Sequence, residues 1–253
     1  FSSEFAIRPF IQHQPARTFA VLASWVNDDD EHVRRLVSEG TRPRLPWGIR
    51  LQALVRDPSA SLPLLQQLKD DPSEYVRRSV ANHLNDIAKD HPDLVADIAM
   101  NWMKDADVQR RRLLRHACRT LIKQGHKPTL AVFGYGPVKV QSLNFAVSQD
   151  EISLGQSLQL QASFKVAREQ PLIIDYAIHH PRANGSVSAK VFKGRTLTAA
   201  AGEEVQFSKS HAIKAITTRR YYPGWHQVDL LINGECVASS GFELLATEEC
   251  YLG

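Results

Sequence analysis

The sequence predicts a protein of two halves, an α-solenoid of stacked helical repeats followed by an antiparallel β-sandwich. Three observations carry this reading. An acidic segment running into paired arginines occurs three times before residue 120. Beyond Leu143 apolar residues alternate with polar ones at a period of two, as strands require. Between the halves, Gly125-His-Lys-Pro128 to Gly134-Tyr-Gly-Pro137 has the Gly/Pro punctuation of a linker. The expected boundaries are 1–130 for the helical domain and 138–253 for the sandwich.

In the helical half, Asp28-Asp-Asp-Glu-His-Val33-Arg34-Arg35 returns 43 residues later as Asp71-Pro-Ser-Glu-Tyr-Val76-Arg77-Arg78. It returns 34 residues after that as Asp105-Ala-Asp-Val-Gln-Arg110-Arg111-Arg112. Each copy opens with an acidic N-cap cluster and runs into an amphipathic helix. Pro72 near the second start fits a helix N-terminus. Helical units repeating at roughly 35–45 residues stack into solenoids, and the Asp-x-x-x-x-Val-Arg signature resembles HEAT repeats. The third copy departs from it with Arg110 in the Val slot, which suits a more exposed terminal repeat.

The arginines fall in two columns about 100° apart around the helix. Arg34, Arg77 and Arg111 follow the apolar slot, and in HEAT-like stacks such an Arg pairs with an Asp of the neighbouring repeat. Arg35, Arg78 and Arg112 are the better candidates for phosphate contacts, although either column can reach a polyanion. The same displacements put Glu39, Asn82 and His116 at equivalent positions. They predict one ridge, with His83 and Arg115 as neighbours. Gln109-Arg110-Arg111-Arg112-Leu-Leu-Arg115 is the densest basic run. A solvated helix face is its ordinary explanation, and phosphate binding is at least as good a one here.

The stretch Ser38-Glu39-Gly-Thr-Arg42-Pro-Arg44-Leu-Pro-Trp47-Gly-Ile-Arg50 interrupts the repeat. Its prolines force an extended loop. A loop that breaks a solenoid and holds Arg42, Arg44, Arg50, an indole and a carboxylate reads as a functional insertion. Alternatively, Trp47 anchors the loop to the next helix and the arginines are solvated. Glu39 either faces a substrate or pairs with Arg42 or Arg35. Glu4, one helix pair earlier, has a similar choice: a site carboxylate, or a helix N-terminal charge after Ser2 or Ser3.

In the second half, Ser157–Val166, Leu172–His180, Val187–Phe192, Val205–Lys209, Trp225–Ile232 and Val237–Leu244 read as strands. Asn184-Gly185 and Asn233-Gly234 mark turns, the second followed by Glu235 as in a hairpin. Short strands in this number fit an immunoglobulin-like sandwich, without the Cys…Trp…Cys core of antibody domains. Lys190, Lys193, Arg195, Lys209, Lys214, Arg219 and Arg220 offer basic groups there, Arg219-Arg220-Tyr221-Tyr222 being the best loop candidate. Ordinary surface charge explains them equally well. His179-His180 is an adjacent pair whose side chains point to opposite faces of a strand, a poor metal chelate.

Composition bounds the rest. The chain opens at Phe1 without Met and enters directly into an apolar pattern, so an upstream portion is expected. No run approaches a transmembrane helix. Cys118, Cys236 and Cys250 form no C-x-x-C pair, which argues against a zinc site or disulfide framework and fits a reducing cytosol. The net charge is +4. Residues 1–130 hold 20 Lys and Arg against 16 Asp and Glu, and residues 131–253 hold 11 against 11. All of the excess therefore lies in the helical half, compatible with a polyanionic partner without demanding one.

Ser38-Glu39-Gly-Thr-Arg-Pro-Arg-Leu-Pro-Trp47-Gly resembles the central motif of AlkC-type DNA alkylation repair glycosylases. Phe1-Ser-Ser-Glu4-Phe-Ala-Ile-Arg8-Pro-Phe is similar to an upstream segment of that family. The resemblance spans nearly all of the helical half, and an appended sandwich matches part of the family. It implies HEAT-like repeats with a concave DNA-binding face, completed by repeats upstream. It implies removal of cationic N-alkylated bases such as 3-methyladenine from double-stranded DNA, by a monomer in the bacterial cytoplasm at the nucleoid. A tryptophan and a carboxylate then lie beside the lesion, roles that fall on Trp47, Glu39 and Glu4. The DNA contacts are expected from Arg35, Arg42, Arg44, Arg50, Arg78, Asn82, His83, Arg111, Arg112, Arg115, Arg219 and Arg220. No metal or redox cofactor is required, because a cationic base is already a good leaving group. The competing reading is a non-catalytic scaffold that docks protein or DNA at the Trp47 loop.

Overall fold

A computed structural model describes residues 3–217 and 220–246 of the chain. The chain divides into two compact units, Phe1–Ile122 and Lys123–Gly253. The helices, in order, are α1 (Ser3–Ala6), α2 (Arg8–His13), α3 (Pro15–Trp25), α4 (Glu31–Gly40), α5 (Gln52–Arg56), α6 (Leu62–Leu68), α7 (Glu74–Ile87), α8 (Pro92–Met103), α9 (Val108–Ala117), α10 (Arg119–Lys123) and α11 (Lys127–Val132). Among the described residues no helix is long and apolar enough to cross a membrane.

The three sequence copies become α4, α7 and α9. Asp30 caps α4 by accepting the His32 amide at 2.8 Å, and Asp107 caps α9 by accepting the Arg110 amide at 2.7 Å. The middle copy differs. Its N-cap is Ser73, whose hydroxyl donates across the repeat to Glu31, while Asp71 accepts the Ser73 amide at 2.9 Å. In one row α1 packs on α4, α4 on α7 and α7 on α9; α3, α6 and α8 pack against this row. Val37, Val76, Val80, Leu84, Leu113 and Leu114 are buried in the resulting core. Each such aliphatic side chain stabilises the stack by roughly 1.5–3 kcal/mol relative to exposure.

The first arginine column has a common task that spacing alone did not reveal. Arg34 donates to the carbonyls of Asp28 and Asp29, Arg77 to those of Asp71 and Pro72, and Arg111 to that of Ala106. Each guanidinium thus satisfies the loop that leads into its own helix. Arg34 alone of the three also forks onto the next repeat, meeting Asp71 at 2.7 and 3.1 Å. Arg110, in the Val slot of the third copy, reaches back to Asp70 at 2.6 Å.

The second unit holds β1 (Val140–Val147), β2 (Glu151–Ile152), β3 (Ser157–Val166), β4 (Gln170–Pro181), β5 (Val187–Ala199), β6 (Glu204–Ala212), β7 (Gly224–Ile232) and β8 (Glu235–Leu244). They form a three-stranded sheet, β1-β3-β6, and a five-stranded sheet, β2-β8-β7-β4-β5. Among the described strands the pairings are antiparallel except the short β2–β8 one. Phe164, Leu160, Ile174, Leu230 and Phe242 lie in the core of this unit. Asn233 and Gly234 both have positive φ, 49° and 76°, as a type I′ hairpin demands. The expected linker is partly helical: α11 starts at Lys127 with Pro128 in its first turn, where proline is tolerated. Cys118 is buried and Cys236 exposed, both free, and Cys250 lies outside the described residues.

Candidate active site

The last turn of α4 delivers Ser38, Glu39 and Gly40, and the chain then leaves the helix along a loop, residues 41–51. Thr41 Oγ1 donates back to the Val37 carbonyl at 2.7 Å, and the Leu51 amide to Pro43 at 3.1 Å. Beneath the loop lies Arg8, fully buried at the start of α2. It donates to the carbonyls of Gly40 (2.9 Å), Arg42 (2.8 Å) and Ile49 (2.6 Å). At the loop tip the Gly48 amide bonds the Leu45 carbonyl at 3.2 Å, with Pro46 and Trp47 between. Trp47 has φ of 64°, in the turn position that favours Gly or Asn. Its side chain is 100% exposed, so it anchors nothing, contrary to the structural alternative.

Glu39 is 6% exposed and Glu4 7%. The Glu39 carboxylate takes Arg42 Nη1 at 2.6 Å, the Ser79 hydroxyl at 2.6 Å, and Arg35 Nη2 at 3.6 Å. Both ion pairs weighed from sequence therefore exist. Arg35, expected on DNA, is instead largely buried and engaged by carboxylates: it also bonds Glu4 and lies 4.9 Å from the Tyr75 ring. Arg42 reaches on to Asp86, which is 2% exposed, at 2.8 Å, and Lys89 holds the other Asp86 oxygen at 3.0 Å. The result is an alternating chain, Glu4–Arg35–Glu39–Arg42–Asp86–Lys89. Burial opposes the Arg42 charge, but its bonds to Asp86 and Glu39 hold its pKa above the ordinary value. Alternation is what makes so much buried charge tolerable, since each ion removed from water keeps opposite neighbours.

Sequence reasoning did not single out Asp86. A signal was there: an acid in the last turn of α7 opposes the helix dipole, so a local partner had to hold it. It also falls one turn beyond Asn82, the counterpart of Glu39.

His83 stands under the ridge rather than on it. Its ring is fully buried, with Nδ1–H donating to the Ser38 carbonyl at 3.0 Å, and burial pushes its pKa down to about 3. The neutral ring has no surface to offer a phosphate, which corrects the expected DNA contact. Arg42, also expected on DNA, is 8% exposed and engaged by carboxylates. Arg44 forks onto Asp90 at 2.8 and 2.7 Å, and Arg50 is exposed.

Between α7 and α9 the surface differs. A cleft of about 340 Å³ is lined by Glu74, Arg77, Arg78, Gln109, Arg112 and His116 among others. Arg78 bonds Glu74 at 2.9 Å, both largely exposed; Arg111, Arg112 and Arg115 are exposed too. Asn82 accepts from His116 Nε2 at 3.0 Å and from Arg119 at 3.2 Å, so two ridge members meet directly. Partial burial, then Arg119 and Arg78, lower the His116 pKa. In the second unit Arg220 is exposed with its guanidinium 5.6 Å from the Tyr222 ring, while Arg219 lies outside the described residues.

Residues 141–246 match the family model described as the C-terminal Ig-like domain of the uncharacterised protein YhaZ. The chain is 40% identical over 244 residues to YhaZ of Bacillus subtilis, covering 96% of this chain and 68% of that protein. It is similar in structure to the Pseudomonas fluorescens alkylpurine DNA glycosylase AlkC, solved bound to DNA containing an abasic site analog. The TM-score is 0.88 at 43% identity, over 96% of this chain and 68% of that one.

Proposed function

Because the chain belongs to the family that includes AlkC and YhaZ, we propose that it is a monofunctional DNA glycosylase that hydrolyses the N-glycosidic bond of cationic N-alkylated bases in base excision repair. Bases of the 3-methyladenine type are its substrates. It acts as a monomer on double-stranded DNA, in the bacterial cytoplasm at the nucleoid. The observation that carries the reading is a chain of fixed carboxylates at the foot of a loop whose tip presents a solvent-exposed indole.

The chemistry needs little more. An alkylated base with a formal positive charge leaves with the glycosidic electron pair and no prior protonation. What rises in energy is positive charge at the sugar, on the way to an oxocarbenium ion. Glu39, assisted by Glu4, opposes that charge and takes the proton of the attacking water. Arg35, Arg42 and Ser79 keep the carboxylate oriented. The Trp47 face attracts the cationic base or sugar, worth about 0.5–2 kcal/mol. Arg50, Arg78, Arg111, Arg112 and Arg115, with Arg44 and Asn82 beside them, meet the phosphate backbone, and Arg220 does so from the sandwich.

Release of methylated bases from alkylated duplex DNA by the full-length protein tests this. Glu39→Gln is expected to lose nearly all excision while duplex binding survives. Undiminished release by that variant removes Glu39 from the role.

A further inference from the structure

We infer that Arg8 is a positioning residue for excision, holding the Trp47 loop in register with Glu39 through its bonds to Gly40, Arg42 and Ile49; this rests on the glycosylase reading above. The geometry is specific. Gly40 directly follows Glu39, Arg42 is the cation that grips Glu39 and Asp86, and Ile49 follows Trp47 by two residues. One guanidinium therefore ties the carboxylate end of the loop to the indole end, spanning 32, 34 and 41 residues of sequence to do so.

The surroundings of Arg8 favour this over a simple packing role. It is 0% exposed, and its hydrogen bonds are to carbonyls; among the described residues no carboxylate forms an ion pair with it. Nη2 is buried without a hydrogen-bond partner. Desolvation, and then the nearby Arg42 charge, lower its pKa to about 10, so it remains cationic at neutral pH. A buried cation with one donor left over is a costly way to fill space. An aliphatic side chain would fill it better but would leave three loop carbonyls unmet. Only a rigid fork bridges acceptors spread this way; a lysine ammonium is a single point. Gly48 fits the same arrangement: a Cβ there would stand 3.3 Å from Arg8 Nε and 3.2 Å from Leu45. The loop closes tightly on the guanidinium.

The test separates positioning from stability. In the full-length protein, single-turnover release of a methylated base and affinity for undamaged duplex are measured for wild type, Arg8→Lys, Trp47→Ala and the double variant. Misplacement of a reacting group by an ångström costs about a hundredfold in rate. Arg8→Lys is expected to approach that loss with duplex affinity little changed. Trp47→Ala added to it is expected to cost little more, because both act through one loop. Undiminished release by Arg8→Lys, or strictly additive losses, overturns the proposal. If Arg8→Lys does not fold, Gly48→Ala replaces it in the same cycle, since it disturbs the loop against the intact cation; unchanged release then overturns the proposal. A wild-type protein that releases no methylated base defeats the glycosylase reading instead, so the two failures are distinct.

Discussion

Glu39 and His116 hold the same position in two repeats and live in opposite surroundings. Glu39 is buried at the end of α4, its oxygens taken by Arg42, Arg35 and Ser79. His116 lines an open basic cleft between α7 and α9. The helices are alike in capping and in their packing along one row. What differs is the segment that follows. After α4 comes the loop pinned by Arg8, which covers the helix end; after α9 the chain passes straight into α10. The repeat supplies the position, and the insertion decides whether that position is a mostly buried ionic cluster with an edge left to solvent or an open surface.

Losing a cation should therefore mean different things at the two places. Arg42→Met removes the cation that Glu39 and Asp86 share, leaving Glu39 with Arg35 and Asp86 with Lys89, and a loss of about 3 kcal/mol, the low end for a broken buried pair, is expected. Arg112→Met, in the open cleft, is expected to change stability by no more than about 0.5 kcal/mol. Urea titrations of both variants decide it. Equal losses would mean that the cluster at α4 is as wet as the cleft.

Acid sharpens the contrast through a second residue. The folded protein protonates His83 only near pH 3, because the ring is buried, whereas an unfolded histidine takes its proton near 6.5. Between those values the unfolded chain binds more protons, so this stability is fully present above about pH 6.5 and is lost as pH falls. The slope is about 1.4 kcal/mol per pH unit. In His83→Gln that component should vanish from the stability–pH curve. A wild-type curve that is equally flat between pH 6.5 and 4 would mean that water reaches the ring.

Salt probes the cleft. Each phosphate neutralised contributes about 0.9 to the slope of log affinity against log salt. Replacing Arg78, Arg112 and Arg115 together with glutamine should reduce the slope by nearly three. An unchanged slope would move the duplex elsewhere.

Some of this is legible in the sequence alone. The repeat, the N-caps at Asp30 and Asp107, and the Asn233-Gly234 hairpin are local: a few neighbouring residues determine them, so spacing and residue type suffice. The short strand β2 could not be read, because its pairing with β8 depends on a partner some 90 residues away. At the site, Glu39 and Trp47 stand out through the loop that breaks the repeat. Asp86 and Arg8 do not, because their significance lies in contacts across more than 30 residues of chain. Periodicity did place Glu39, Asn82 and His116 at equivalent points. It also placed His83 beside them without showing that its ring turns inward.

The smallest stability change, and the one that isolates the loop tip, concerns two tryptophans. Trp102 is 7% exposed, with its indole N–H bonded to Gln66 at 2.6 Å. Trp47 is fully exposed at positive φ. Replacing Trp47 with glycine removes no packing and relieves a backbone conformation that costs an L-residue about 1–2 kcal/mol. Greater freedom of glycine in the unfolded chain opposes this by roughly 0.5–1 kcal/mol. Trp47→Gly should therefore leave the melting temperature level or slightly raised, while Trp102→Gly lowers it steeply. Excision should move the other way, falling about tenfold in Trp47→Gly if the indole contributes near the middle of its cation–π range. A variant that melts higher but works worse would mark the strain at residue 47 as serving catalysis rather than folding. A large loss of stability would instead mean that the indole packs against the protein in solution, and the contrast between the buried carboxylates and the open loop tip would fall.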